Sequence, residues 1–175
     1  MYCATRSSAL SFFRLAIGAL FHLRARAAPA SLSPDAAIPF SPGFDISKVL
    51  SLAQSLPSHS WEFGTASEAL LELYEPSVSV FGDVPFPPPT LTTENSKSLA
   101  YASTKFQLES GSPALVPGDG ASGDPASLGI SAYLLGKTDP ELAAAATTQL
   151  DYLLDTVPRF WNGAISQRDD YAELW

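Results

Sequence analysis

A glycine-rich segment at residues 118–124 is the first place where this chain could hold a ligand. Its glycines allow the backbone to approach a bound molecule closely, and its last residue, Asp124, carries a carboxylate. It is not a phosphate-binding loop, because no Lys-Ser or Lys-Thr pair follows it and no strand precedes it. The alternative interpretation is a flexible loop in which Asp124 caps the next helix.

Arg168 is the second candidate for ligand binding. It follows an Asn162-Gly163 turn, and its guanidinium could bind a carboxylate through two parallel hydrogen bonds. A surface ion pair with Asp169 or Asp170 is the alternative interpretation. The sequence alone does not separate the two.

Trp61 is the third candidate, in a segment that leads into a predicted helix. An indole ring at the entry of a helix could stack on the face of a sugar ring. The alternative is an ordinary core position, because tryptophan is highly buried on average.

The acidic composition limits the partners that this chain can have. Its formal net charge is −8, which repels nucleic acids and anionic membrane surfaces, so neither is an expected partner. No stretch approaches the roughly 18 to 20 apolar residues that span a bilayer. The single cysteine, Cys3, and the two histidines, His22 and His59, are too few for a cysteine- or histidine-rich metal site. No cofactor is expected.

Residues 1–27 have the composition of a targeting segment. No acidic residue precedes Asp35, and arginines surround the apolar run at residues 15–23. The Ala-Arg-Ala sequence at residues 25–27 fits a signal-peptidase site, which predicts a secreted protein. A mitochondrial transit peptide, also rich in Arg and Ser, is the alternative. Residues 28–44, rich in Pro, Ala and Ser, are a predicted linker.

Apolar residues at helical spacing predict five helices in the remainder of the chain. They cover about residues 45–56, 65–74, 93–108, 124–135 and 139–157. The Asp124-Pro125 and Asp139-Pro140 pairs are the firmest helix starts, because each combines a capping carboxylate with proline in the first turn. The segments 78–89 and 109–123, rich in proline or glycine, are predicted loops.

The last two predicted helices carry different surfaces. The fourth is apolar on nearly every side, which predicts burial all round, whereas the fifth has one apolar stripe from Leu142 to Val157. With a short turn at Gly136, they would form an αα-hairpin. Because no run of period-two strands is present, the predicted fold class is all-α, with stacked hairpins in a solenoid or a closed double ring.

Three segments taken together resemble a known family. They are residues 61–73 (WEFGTASEALLEL), residues 123–132 (GDPASLGISA) and residues 157–175. They are similar to uncharacterised fungal proteins of the six-hairpin glycosidase superfamily, which look related to unsaturated glucuronyl and rhamnogalacturonyl hydrolases. The resemblance covers residues 45–175.

The resemblance implies an (α/α)6 toroid, of which this chain would supply about the first half. In the family, an aspartate in a central cleft protonates an unsaturated uronyl double bond and then activates water. That acid follows shortly after a tryptophan; Trp175 matches the tryptophan, so the acid would lie beyond it. Gln167 stands where the family commonly has histidine, and glutamine cannot titrate. Asp124 is the match for the family's other cleft aspartate.

The resemblance also implies a role for each candidate residue. Arg168 would bind the uronate carboxylate with Gln167 beside it, and Asp124 would assist catalysis. Trp61 and Trp175 would stack on sugar faces. The predicted function is that of a truncated glycoside hydrolase-like protein acting on unsaturated uronic-acid oligosaccharides. The alternatives are carbohydrate binding without cleavage and a fragment with no function of its own, so whether the chain is an enzyme stays open.

Half a ring of helices predicts a further property of the chain. The faces between helices that the missing hairpins would cover are then exposed to solvent. Exposed apolar surface of that extent is typical of interaction sites, so self-association is expected.

Overall fold

A computed structural model describes residues 43–110 and 112–172, of which 49% are helical. The α-helices of these residues are α1 (Ile46–Ser55), α2 (Ser60–Tyr74), α3 (Lys97–Ser103), α4 (Gly123–Ala126), α5 (Gly129–Leu135) and α6 (Pro140–Asp151). A 3-10 turn follows α2 at Pro76–Val78, and a π-helical turn extends α6 at Tyr152–Thr156. The described residues contain two isolated β-bridges and no strand, which confirms the all-helical class. The targeting segment, most of the linker and Trp175 lie outside the described residues.

Helix α2 begins earlier than its apolar spacing predicts. The prediction placed its start near Thr65, but the first helical residue is Ser60. The reason is the carboxylate of Glu62, whose Oε2 accepts the backbone amides of Ser58 at 2.6 Å and His59 at 3.0 Å. These two hydrogen bonds satisfy free amides at the helix start and lower the pKa of Glu62 to about 2. Trp61 therefore belongs to the first turn of α2.

The single helix predicted over residues 124–135 is wrong, because the structure divides it into α4 and α5. The N–H of Ser127 donates to the carbonyl of Asp124, three residues back, at 3.2 Å, and Leu128 has left the α-helical region with ψ 1°. Asp124 is also not the N-cap, since it lies in the first turn of α4 after Ser122. The predicted third helix is shortened in the same way, to Lys97–Ser103, with Ser96 as its cap.

Helices α5 and α6 pack against each other as a hairpin. Asp139 caps α6 as predicted, accepting the amides of Glu141 at 3.0 Å and Leu142 at 3.3 Å. The expectation that the helix ending at Leu135 is buried all round is wrong, because Ile130 and Tyr133 are exposed. One side of the α5–α6 hairpin therefore faces solvent with an apolar surface.

Helix α1 contributes little to the core. Its cap is the predicted one, with Asp45 Oδ1 accepting the amide of Ser47 at 3.1 Å. Its apolar residues Val49, Leu52 and Leu56 are exposed and are spaced so that they share one face. Self-association of the chain stays a prediction, and this stripe is one surface on which it would act.

Helix α2 carries a ridge of small residues on its inner face. Ser60, Gly64, Ser67 and Leu71 recur at the spacing of one helical face, and all four are buried. The Oγ of Ser67 lies 2.7 Å from the Oγ of Ser131 in α5 and 3.2 Å from that of Ser98 in α3. This buried hydroxyl cluster joins three helices with its polar groups hydrogen-bonded.

Clusters of buried apolar residues pack around this ridge. The members of the two largest come from helices and from loops: Leu71, Val78, Leu91, Leu99, Leu134 and Leu135 in one cluster, and Ala102, Leu115, Val116, Leu128 and Ala132 in the other. Phe106 packs against both clusters. The core thus includes loop residues that no helical periodicity marks.

We expect Gly64→Ala to destabilise the protein by about 1–3 kcal/mol, because the added methyl group would overlap Ser127. From helix propensity alone, the same change would stabilise α2 by up to about 1 kcal/mol. The matched control is Gly129→Ala in α5, where nothing lies within 4 Å of the added Cβ. Urea unfolding followed by circular dichroism measures both variants. Equal effects at the two positions would contradict the close contact of α2 with Ser127.

Glu75, at the end of α2, is a buried carboxyl group with 6% of its surface exposed, and its Oε2 has no hydrogen-bond partner. Burial raises its pKa from 4.5 to about 7, and the nearby Ser96 and Lys97 oppose this shift only in part. Folding therefore favours the protonated form. The stability that this group contributes is present below about pH 4.5 and is lost as the pH rises through about 7.

We expect Glu75→Gln to remove this pH dependence. The free energy of unfolding of the unchanged chain should fall between pH 4.5 and 7 by on the order of 2–3 kcal/mol more than that of the variant. Chemical denaturation at a series of pH values measures the difference. Glu109→Gln, at an exposed position, is the control and should keep the slope of the unchanged chain. Parallel slopes for Glu75→Gln and the unchanged chain would exclude Glu75 as the cause.

Candidate functional site

A cleft of about 190 Å³ opens between the start of α2 and two segments from the second half of the chain. It is lined by four of the residues that the sequence nominated, Trp61, Asp124, Gln167 and Arg168, and also by His59 and Asp119. These residues come from three separate parts of the sequence. The tertiary structure therefore brings together every nominated site residue that it describes, and Trp175 lies outside the described residues.

The glycine-rich segment forms one wall of this cleft as a tight turn. Asp119 and Gly120 have φ angles of 50° and 81°, and the amide of Ala121 donates to the carbonyl of Gly118 at 2.8 Å. Two central residues with positive φ are typical of a type I′ turn, for which Asp-Gly is a favoured pair. The middle of the segment thus has the geometry of a hydrogen-bonded turn.

This turn is paired with the segment that carries Gln167 and Arg168. The amide of Ser122 donates to the carbonyl of Gln167 at 2.8 Å, and the amide of Asp169 donates to that of Gly120 at 3.0 Å. Ala121 and Arg168 form an antiparallel bridge, and the buried Ser122 hydroxyl donates to the carbonyl of Ser166. These bonds fix the backbone of both candidate side chains against the turn.

A short hairpin positions the same segment from its other side. Arg159 and Ile165 form a second antiparallel bridge, closed by a turn at Gly163. The guanidinium of Arg159 donates to the carbonyl of Gly163 at 2.8 Å and to that of Leu154 at 2.6 Å. These hydrogen bonds connect the hairpin to the π-helical turn. The backbone amide of Ser166 donates to the carbonyl of Pro158 at 2.9 Å. Arg159 is therefore structural, in contrast to Arg168.

Asp124 and Gln167 are joined side chain to side chain. The amide Nε2 of Gln167 donates to Oδ1 of Asp124 at 3.0 Å. This bond occupies one of the several acceptor positions of the carboxyl group. The pair can therefore also accept a hydrogen bond from a ligand hydroxyl at Asp124.

Arg168 lies over the tight turn with part of its donor capacity unused. Its Nη1 donates to the carbonyl of Asp119 at a long 3.3 Å, and its Nε is buried without a hydrogen-bond partner. Its Nη2 lies against the backbone of Gly120, where a side chain would collide with it. The predicted ion pair with Asp170 is present, but Nε and Oδ1 are 3.9 Å apart and Asp170 is largely exposed, so the pair is weak. An anion in the cleft would meet free guanidinium donors.

Trp61 is not a core residue, because 51% of its surface is exposed. It lies on the outer side of α2, next to the buried Ser60, so its indole forms a wall of the cleft without packing in the interior. This exposure excludes the core interpretation and is compatible with stacking on a flat apolar ring.

His59 and Asp119 complete the cleft and were not nominated as site residues. His59 immediately precedes α2, and its Nδ1 lies 2.9 Å from the hydroxyl of Ser58 and 3.4 Å from Oε2 of Glu62. His59 lies two residues before Trp61 in the sequence, and this proximity to a nominated residue was the signal that could have identified it. Asp119 belongs to the glycine-rich segment, where its neighbouring glycines marked the turn.

The described residues hold no group of three or more His, Cys, Asp or Glu side chains arranged for a metal ion. Within the same ranges, none of the helices combines the length and the apolar character needed to cross a bilayer.

Comparisons with protein-family models, curated proteins and solved structures find nothing that matches this chain. The six-hairpin assignment is therefore a proposal that rests on the residues and their geometry.

We expect Gly120→Ala to displace the Arg168 guanidinium, because the added Cβ would occupy its position. Gly163→Ala is the matched control: its φ of 85° is close to the 81° of Gly120, but nothing lies within 4 Å of the added atom. Both variants should lose about 1–2 kcal/mol of stability from the left-handed backbone. The Nε–H resonance of Arg168 in a ¹⁵N NMR spectrum should move only in Gly120→Ala. An unchanged resonance there would show that Arg168 does not rest on the turn.

Proposed function

We propose that this cleft binds an acidic carbohydrate, with a uronate carboxylate on Arg168. The observation that supports this is the convergence of Trp61, Asp124, Gln167 and Arg168 on one cavity. A guanidinium with unused donors is suited to a carboxylate, an exposed indole to the apolar face of a sugar ring, and a carboxylate–amide pair to sugar hydroxyls. These three kinds of group together match a charged sugar better than a purely apolar or a purely ionic ligand.

A second candidate function is hydrolysis of an unsaturated uronyl oligosaccharide by the glycosidase-like protein. Its support is that two carboxylates, Asp119 and Asp124, line the same cleft as His59, and paired titratable groups are what proton transfer to a substrate needs. Binding is the better supported of the two, because it needs only the hydrogen-bonding and stacking groups that line the cleft. Protonation of the double bond and addition of water consume the unsaturated uronyl group, so loss of its ultraviolet absorbance distinguishes hydrolysis from binding. Turnover that is lost in Asp124→Asn would favour the enzyme.

The six-hairpin ring and secretion belong to the same proposal. The antiparallel α5–α6 pair is the unit from which such a ring is built, and an acidic-sugar ligand is compatible with an extracellular protein. Mitochondrial import is the alternative for the targeting segment.

We expect Arg168→Gln to weaken binding of an unsaturated uronyl disaccharide about 10- to 100-fold, because a charge-assisted hydrogen bond is lost. Its affinity for the methyl ester of the same disaccharide should change little, since the ester has no charge for Arg168 to bind. Trp61→Ala should weaken both ligands alike, by about 3- to 10-fold. Isothermal titration calorimetry gives the dissociation constants.

Lys48→Gln is the matched control for charge, because Lys48 is exposed on α1 and does not line the cleft. It should leave both affinities unchanged. If Arg168→Gln weakens the acid and the ester equally, Arg168 does not recognise the carboxylate. If neither ligand binds the unchanged chain, the carbohydrate proposal is wrong.

A further inference from the structure

A second and larger cavity, of about 580 Å³, lies along the exposed side of the α5–α6 hairpin. It shares no lining residue with the carbohydrate cleft. Its walls include Ile130 and Tyr133 of α5, Ala146 and Leu150 of α6, and Phe86 from the loop before α3. A volume between about 300 and 1,000 Å³ with mostly apolar walls is typical of small-molecule sites. This groove, named here the hairpin groove, is independent of the function proposed above.

The hairpin groove is apolar along most of its length. The rings of Phe86 and Tyr133 lie with their centroids 6.4 Å apart and tilted by 55°, a favourable aromatic geometry, and together they form part of one wall. The other wall consists of residues of α6 and of the π-helical turn, from Ala143 to Leu153. At a helical rise of 1.5 Å per residue, this wall is about 15 Å long. Such a wall fits an extended aliphatic chain.

The groove has a polar end at the turn between the two helices. Lys137, which follows Gly136 at this turn, is its only charged lining residue. Its ammonium donates one hydrogen bond to the carbonyl of Pro88 and has capacity for two more. Within the described ranges no carboxylate lies within ion-pair distance of it. The charged end is therefore open to an anionic group.

A second unused donor belongs to a side chain of the same groove. Gln149 is only 3% exposed, and its Oε1 accepts the amide of Leu115 at 3.2 Å. Its Nε2 is buried without a hydrogen-bond partner. Gln149 follows Lys137 by twelve residues and lies near the far end of α6, so its amide is not part of the charged end of the groove.

We propose that the hairpin groove binds a long-chain monocarboxylate, with its aliphatic tail along α6 and its carboxylate on Lys137. Charge complementarity selects this occupant. One cation at the end of an apolar groove matches an amphiphile that has one anionic end. A second copy of the chain is the competing occupant, and the oligomeric state tests it.

The experiment compares palmitate with methyl palmitate by isothermal titration calorimetry on the full chain, below the micelle concentration of the acid. Palmitate is expected to bind about 10-fold or more tightly than its ester, because a charge-assisted hydrogen bond contributes about 1.5–3 kcal/mol. Lys137→Met should bring the two affinities to within about twofold, and Lys137→Arg should keep most of the preference. Equal binding of acid and ester to the unchanged chain would overturn the role of Lys137.

Two leucines of similar exposure provide a matched pair of variants that tests where the aliphatic tail of the ligand lies. Leu150 lines the groove and is 54% exposed, whereas Leu154 is 50% exposed and does not line it. Leu150→Asp should abolish palmitate binding, and Leu154→Asp should leave it intact; circular dichroism confirms that both variants fold. The same loss in both would place the ligand elsewhere.

Analytical ultracentrifugation tests the competing occupant. The expected result is palmitate binding together with an oligomeric state that Leu150→Asp leaves unchanged. A dimer that Leu150→Asp dissociates and Leu154→Asp does not would show that a second copy covers the groove, and the ligand proposal would then be wrong.

Discussion

The close approach of α2 to residues 124–135 is the constraint on which the rest of the described structure depends. Gly64 touches Ser127, and Ser67 shares hydrogen bonds with Ser98 and Ser131. Larger side chains would separate these helices, because protein interiors are close-packed and yield little to added volume. The helices would then lose both the buried hydroxyl cluster and the leucine contacts that flank it.

The cleft that contains Trp61 and Arg168 follows from the same contact. The hydroxyl of Ser127 lies 3.1 Å from the carbonyl of Ser60 and 2.6 Å from that of Asp124. Since Trp61 follows Ser60 directly, this one hydroxyl holds the backbone beside both candidate residues. The position of the indole relative to the carboxylate is thus determined by packing of small residues that themselves touch no ligand. A substitution at Gly64 or Ser127 would move the walls of the cleft without changing its chemistry.

The two cavities use the few available cations in the same way. Arg168 and Lys137 each rest one donor on a backbone carbonyl and keep further donors free. In a chain of net charge −8, each such cation creates a local region of positive potential. It attracts an anion only at short range, because dissolved ions screen electrostatic interactions beyond about 10 Å. The guanidinium of Arg159, in contrast, donates to three carbonyls, one in its own hairpin and two in the π-helical turn. Free donor capacity separates the two binding candidates from this structural arginine.

Local chemistry in the sequence determined several elements of this protein. Asp45 and Asp139 cap α1 and α6 as predicted, since a capping carboxylate acts on amides two or three residues away. The start of α2 was missed because Glu62 reaches back to His59, and histidine is not among the residues that mark a capping box. The sequence also nominated Trp61, Asp124, Gln167 and Arg168, but their surroundings were decided only by the fold. Whether Trp61 is buried and whether the donors of Arg168 are used by backbone carbonyls depend on partners distant in the chain. The bond between Gln167 and Asp124 spans 43 residues. A contact of that range is set by how the helices and loops between them pack, and no local pattern encodes it.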